Sequence, residues 1–134
     1  MVNENINGID ILIPDDCDNA PRRLTLVNIY KAIASKDEEF IADHIMSDVV
    51  WDLIAKNKRV GISETITYFN ELVDTKMIKI EINTVLTHGR YGAVNGCFIF
   101  KEKPSMAFCD MYTFSSAAKS GKVISVASYV IKKE

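Results

Sequence analysis

Apolar residues recur along this chain with two periods, and the change from one to the other divides it. From Pro21 to Ser35, Leu26, Ile29, Tyr30 and Ile33 fall at helical spacing, and Pro21 stands where a first turn tolerates it. A shorter helix follows with Phe40, Ile41, His44 and Ile45 on one side, and Asp48-Val49-Val50-Trp51-Asp52-Leu53 then takes up the alternation of a strand. Gly61 breaks the chain. Ser63 and Glu64 read as the start of a third helix, with Ile66, Phe69 and Leu72 or Val73 as its buried stripe and its end near Asp74.

Beyond Asp74 the period is that of strands. Ile78, Ile80 and Ile82 alternate with Lys79, Glu81 and Asn83, the pattern of an antiparallel strand with one wet face. His88-Gly89-Arg90 makes a turn, Tyr91 to Lys101 a second strand, Lys103-Pro104-Ser105 a hairpin, and Met106 to Phe114 a third strand. A polar loop from Ser115 to Gly121 leads to a last strand, Val123 to Ile131. Ahead of the first helix, the short apolar piece Ile9 to Ile13 stops at Pro14, and Asp15-Asp16-Cys17-Asp18-Asn19 reads as turn and helix cap. Residues 1–19 are therefore set apart as an arm, and residues 20–134 as one domain. Helices followed by antiparallel strands give an α+β domain in which a curved sheet wraps around three helices as a cone. The mouth of such a cone is the default place for a small-molecule pocket.

Composition narrows the class. The chain has 134 residues, of which 48% are hydrophobic, enough for one substantial core. Its net charge of −2, with Lys and Arg dispersed, gives no footprint for DNA or RNA. Cys17, Cys97 and Cys109 show no CxxC or Cys/His spacing, so neither a disulfide framework nor a metal site is implied, and a reducing cytoplasm is the expected location. No apolar run reaches the roughly 20 residues of a membrane helix.

Candidate chemistry centres on Asp110, a single carboxylate inside the apolar run Met106-Ala107-Phe108-Cys109-Asp110-Met111-Tyr112-Thr113-Phe114. A strand of this composition reads as covered on both faces, where an ionised Asp requires either a structural partner or a pocket role. Trp51 shares a face with Val49 and Leu53 and is a pocket wall or a core residue. Ala93, Asn95, Cys97 and Ile99 share a face expected to look inward, so Asn95 is read as a second polar group able to pair with Asp110, or as an Asn in a strand bend beside Gly96. Tyr30, Tyr68 and Tyr112 each offer a phenol, and His88 a possible base at a strand end. Cys109 points away from Asp110's face, as a small buried hydrophobe.

The element order and spacing over residues 20–131, with Asp48-Val49-Val50-Trp51, Gly61 before the third helix, Asp110-Met111-Tyr112-Thr113-Phe114 and Gly121-Lys122-Val123-Ile124, resemble the nuclear transport factor 2 (NTF2)-like superfamily. That superfamily includes SnoaL-type polyketide cyclases and ketosteroid isomerases. The resemblance implies a cone-shaped, cystatin-like α+β barrel with a deep pocket and a homodimer formed through the outer sheet face. Asp110 falls on the isomerases' oxyanion-hole aspartate, which an apolar site keeps neutral. Their tyrosine donor falls on Ile29 and their general base on Leu53, with Tyr30 and Asp52 one residue away. A one-residue shift in a strand reverses the face, which makes Asp52 a poor substitute for the base.

Three functions are thereby implied. One is a pocket for an apolar or partly polar small molecule oriented by Asp110, with Ile29, Trp51, Leu53, Asn95, Cys97 and Tyr112 around it. A second is a cofactor-independent isomerase, cyclase or lyase in which Asp110 is acid or oxyanion donor beside His88 or Tyr30. The third is a dimeric interaction module without catalysis.

Overall fold

The computed structural model describes residues 2–15 and 20–133. Its elements run β1 (Val2–Ile6), β2 (Ile9–Ile13), α1 (Pro21–Ser35), α2 (Glu38–His44), β3 (Ile45–Leu53), β4 (Lys58–Val60), α3 (Ile62–Asp74), β5 (Met77–His88), β6 (Tyr91–Phe100), β7 (Met106–Phe114) and β8 (Val123–Lys132). The strands form one open, mixed sheet in the order β1-β2-β5-β6-β7-β8-β3-β4, antiparallel except where β2 meets β5 and β3 meets β8. The three helices and this curved sheet make the α+β cone that the periodicities imply.

The helices begin and end for local reasons. Pro21 takes the first helical position of α1 behind an extended Ala20, and the helix closes on Lys36 in the left-handed region, whose N–H bonds the carbonyls of Ala32 and Ile33. Asp37 caps α2 by accepting from Phe40 N at 3.1 Å. Gly61, at φ 91°, turns the chain into α3, and Thr65 bonds its carbonyl at 2.9 Å. The apolar stripe of α1, Leu26, Ile29, Tyr30 and Ile33, is fully buried against the inner face of the sheet.

Residues 2–13, which the sequence sets apart as an arm, are built into the sheet. They form a hairpin, and its second strand pairs in parallel with β5 through Ile11 and Ile80, burying Ile9, Ile11 and Ile13 in the main core. The alternation of Ile9, Ile11 and Ile13 carried the strand signal, but parallel pairing with a segment far along the chain has no local signature. The expected cap at residues 16–19 lies outside the described residues. A further short strand, β4, was not anticipated; it pairs with the end of β3.

Bulges decide which residues of β5 face inward. The register slips between Met77 and Lys79 and again between Ile82 and Thr84. Each slip shifts the alternation, so Ile80, Ile82 and Val85 are buried while Ile78 is exposed, against expectation. In β7, Phe108, Asp110, Tyr112 and Phe114 are buried on the inner face, whereas Met111 is 47% exposed. The strand is therefore covered on one face and open on the other, which corrects its reading as buried on both sides.

Candidate functional site: a buried carboxylate behind a mixed cavity

Strand register brings Asp110 its first partner. In the β7–β8 ladder Asp110 stands opposite Ser128, and their side chains meet on the inner face, Ser128 Oγ donating to Asp110 Oδ1 at 2.6 Å. The second partner comes from α1: Tyr30 donates to Oδ2, also at 2.6 Å. Tyr112, two residues beyond Asp110 on the same face, donates its own hydroxyl to Tyr30 Oη at 2.8 Å. All four side chains are buried, and the hydrogen bonds form one chain from Tyr112 through Tyr30 and Asp110 to Ser128.

The shell around this network is aromatic. Tyr30 stacks on Phe108 at 5.3 Å, Phe108 on Phe98 at 4.4 Å, and Trp51 meets Tyr112 edge-on at 5.9 Å and Phe69 at 4.9 Å. Removal from water pushes the Asp110 carboxyl up to about 6, even though the hydrogen bonds from Ser128 and Tyr30 draw it down. Burial, with the nearby Asp110 charge, holds the phenols of Tyr30 and Tyr112 well above their ordinary value. A carboxyl poised near neutrality beside tyrosines too weakly acidic to ionise can exchange a proton, but both its oxygens are already engaged.

One cavity lies on the Met106 side of Asp110. It measures about 200 Å³ and sits where α3 faces the ends of β3, β6 and β8 and the start of β7. Leu53, Leu72, Phe100, Met106 and Val130 supply its apolar wall, and Lys56, Arg59, Tyr68, Glu71 and Lys103 the polar one. Asp110, Tyr30 and Tyr112 are not among its lining residues. Met106 and Asp110 share a face of β7, and four residues of strand separate their Cα atoms by about 13 Å. Phe108 stands between them on that face, opposite Val130, and walls the network off.

Two residues outside the expected ligand-binding set shape this wall. Arg59 stands opposite Trp51 in the β3–β4 ladder, which turns it to the inner side while Lys58 and Val60 are exposed. Its guanidinium donates from Nη2 to Glu71 at 2.8 Å and lies 3.6 Å from Glu64 through Nη1, and its Nε is buried with no hydrogen-bond partner. Tyr68, which the sequence offered only as one of three phenols, lines the cavity. Its pKa is raised by burial first and then by the Asp110 charge, so the two groups lie within electrostatic reach.

The remaining expected residues are dispersed. Leu53 lines the cavity. Trp51 and Ile29 are buried core residues, and the Trp51 Nε1 is a buried donor lacking a partner among the described residues. Asn95 does not approach Asp110. It pairs with Cys109, one position out of phase with the Val94–Asp110 pair, and is exposed on the outer face of the sheet. Cys97 follows the same parity and is buried there against neighbouring outer-face side chains. The inward set of β6 is Val94, Gly96, Phe98 and Phe100, because pairing with Asp110 fixes the parity that a strand apolar on both sides left open. His88 ends β5, exposed, against the outer-face residues Leu86, Tyr91 and Met111, and makes no bond to the buried network. Ser128 was not foreseen; its only signal was its phase with Val126 and Val130.

Among the described residues, no three His, Cys, Asp or Glu side chains converge as metal ligands, and no helix is long and apolar enough to cross a membrane.

No protein-family model and no curated protein matches the chain. Solved structures do. It is similar to a putative ketosteroid isomerase from Kribbella flavida DSM 17836, at 12% identity and TM-score 0.71 over 85% of this chain and 80% of that one. An NTF2-like protein of unknown function from Burkholderia xenovorans LB400 matches at 15% identity and TM-score 0.70, over 85% of each chain. A putative SnoaL-like polyketide cyclase from Shewanella denitrificans OS-217 matches at 13% identity and TM-score 0.64, over 84% of this chain and 92% of that one. At such identities the likeness is one of fold, and activity rests on the site.

Proposed function

We propose that this chain, which has the NTF2-like fold, is a small-molecule-binding domain whose ligand occupies the cavity between α3 and the sheet. The observation that carries the reading is the mixed lining, in which Leu53, Phe100, Met106 and Val130 are apolar and Arg59 and Tyr68 polar. Asp110 then acts from behind the wall. Its carboxylate fixes Tyr30 and biases Tyr68 electrostatically, in place of touching the ligand. Among the described lining residues the one carboxylate, Glu71, is bonded to Arg59, and Leu53 stands where the resemblance puts the isomerases' general base, which favours binding over acid–base catalysis.

The test is a fragment library screened by amide-resolved NMR on the full chain. Fragments of about ten non-hydrogen atoms are expected to perturb Leu53, Tyr68, Met106 and Val130 together, and Met106→Trp is expected to abolish the response while leaving the fold intact. A library that perturbs none of these amides, or only surface residues elsewhere, overturns the reading.

The outer sheet face supports a second component, a homodimer. Leu86, Met111, Tyr129 and Ile131 project on the side away from Asp110 and are 47 to 69% exposed. Exposed apolar side chains on three strands of one face, β5, β7 and β8, are a cost for a monomer and a natural seat for a second copy.

A further inference from the structure

We infer that the ligand of this cavity is a small apolar acid, with its carboxylate toward Arg59 and its body against Leu53, Met106 and Val130, and with Lys56 and Lys103 adding positive charge at the rim. The inference rests on the pocket reading and adds the ligand's charge and size. Three cations line the cavity against one carboxylate, Glu71, and that carboxylate is already bonded to Arg59. Glu64, the other acid near Arg59, is 61% exposed and lies 3.6 Å away, so it neutralises the guanidinium weakly. Lys56 and Lys103 are exposed at the rim, and Lys103 Nζ lies 5.7 Å from the Phe100 ring centroid, close to the apolar wall.

Arg59 adds a donor without an acceptor. With its two terminal nitrogens directed to Glu71 and Glu64, its Nε is buried with no partner among the described residues, so the guanidinium is anchored at the wall with its charge only partly offset. The ring of Tyr68 faces the guanidinium at 5.7 Å, which holds that side chain in place at the wall. Volume sets the size. The recess holds about 200 Å³ and is open to solvent, so the part of a ligand it covers is a single ring or a short chain with one charged group.

Phenylacetate, phenylacetamide and 2-phenylethylammonium share this size and differ in charge, and their binding is compared by NMR titration at fixed ionic strength. Phenylacetate is expected to bind at least tenfold more tightly than either of the others. Lys56→Gln and Lys103→Gln, both at exposed positions that leave the core untouched, are each expected to lower the preference severalfold, and Arg59→Gln to remove it while phenylacetamide still binds. Equal binding of acid and amide overturns the inference and leaves the pocket reading standing. Preference for the ammonium ion, or failure of phenylacetate to perturb the cavity amides while uncharged fragments do so, also overturns it. Failure of every fragment, charged or neutral, overturns the pocket reading as well.

Discussion

Tyr30 on α1 and Asp110 on β7, 80 residues apart, share a hydrogen bond of 2.6 Å that ties the first helix to the centre of the sheet. It is a charge-assisted bond in a water-free setting. Tyr30 also accepts from Tyr112, so removing its hydroxyl strands two groups at once. Tyr30→Phe is expected to destabilise the fold by about 2–3 kcal/mol, and Tyr112→Phe, which removes only an outer link, by about 1 kcal/mol. Urea unfolding of both single variants and the double variant checks this, and strict additivity in that cycle would refute a connected network.

Stability is expected to fall as pH rises through the titration of Asp110. Its unfolded pKa is 3.8 and its folded value about 6, so the folded state binds the proton more tightly. Below about pH 4 both states are protonated and the contribution is fully present; between about pH 4 and 6 it is lost; above that range it is flat. Two units of difference correspond to about 3 kcal/mol. The unfolding free energy of wild type relative to Asp110→Asn should therefore decline by about that amount from pH 4 to pH 7. A difference that is constant or rises with pH contradicts a carboxyl raised by burial.

Gly96 is expected to tolerate no side chain. A Cβ there would stand 1.9 Å from the Glu81 carbonyl oxygen and 3.0 Å from Phe108 Cζ. The backbone of β5 would have to move, next to the bulge between Ile82 and Thr84. Gly96→Ala should cost about 3 kcal/mol or prevent folding, as measured by denaturation or by soluble yield. A variant as stable as the wild type would show that β5 yields easily.

The chain is expected to sediment as a dimer, and Met111→Lys combined with Ile131→Lys to convert it to a monomer with an unchanged far-ultraviolet circular dichroism spectrum. Both positions are exposed on the outer face, so the substitutions leave the core intact. A wild type that stays monomeric at high concentration contradicts the proposed homodimer.

The helices and the four later strands were legible because each depends on local periodicity. Leu26, Ile29, Tyr30 and Ile33 mark one helix face irrespective of what lies opposite. What was not legible depends on pairing. β6 carries apolar residues on both faces, so whether Asn95 or Val94 looks inward is decided only by the partner across the ladder. Asp110 and Tyr30 stood out separately, yet the bond between them and the contribution of Ser128 follow from the placing of α1 across the sheet and from the register of β7 with β8. Arg59 was hidden by the brevity of β4, since three residues carry no period of their own.

The parallel seat of β2 on β5 sets an order of events in folding. Asp10, Ile11 and Leu12 find their partners Lys79, Ile80 and Glu81 only about seventy residues later in the chain, a closure whose entropic cost is met before any contact repays it. Until β5 exists, an apolar strand edge stands open, the kind of edge that recruits other chains. The hairpin β1–β2 then makes itself useful as a guard: β1 takes up the free side of β2 with Asn3, Glu4 and Asn5 exposed, so the sheet ends in a polar edge.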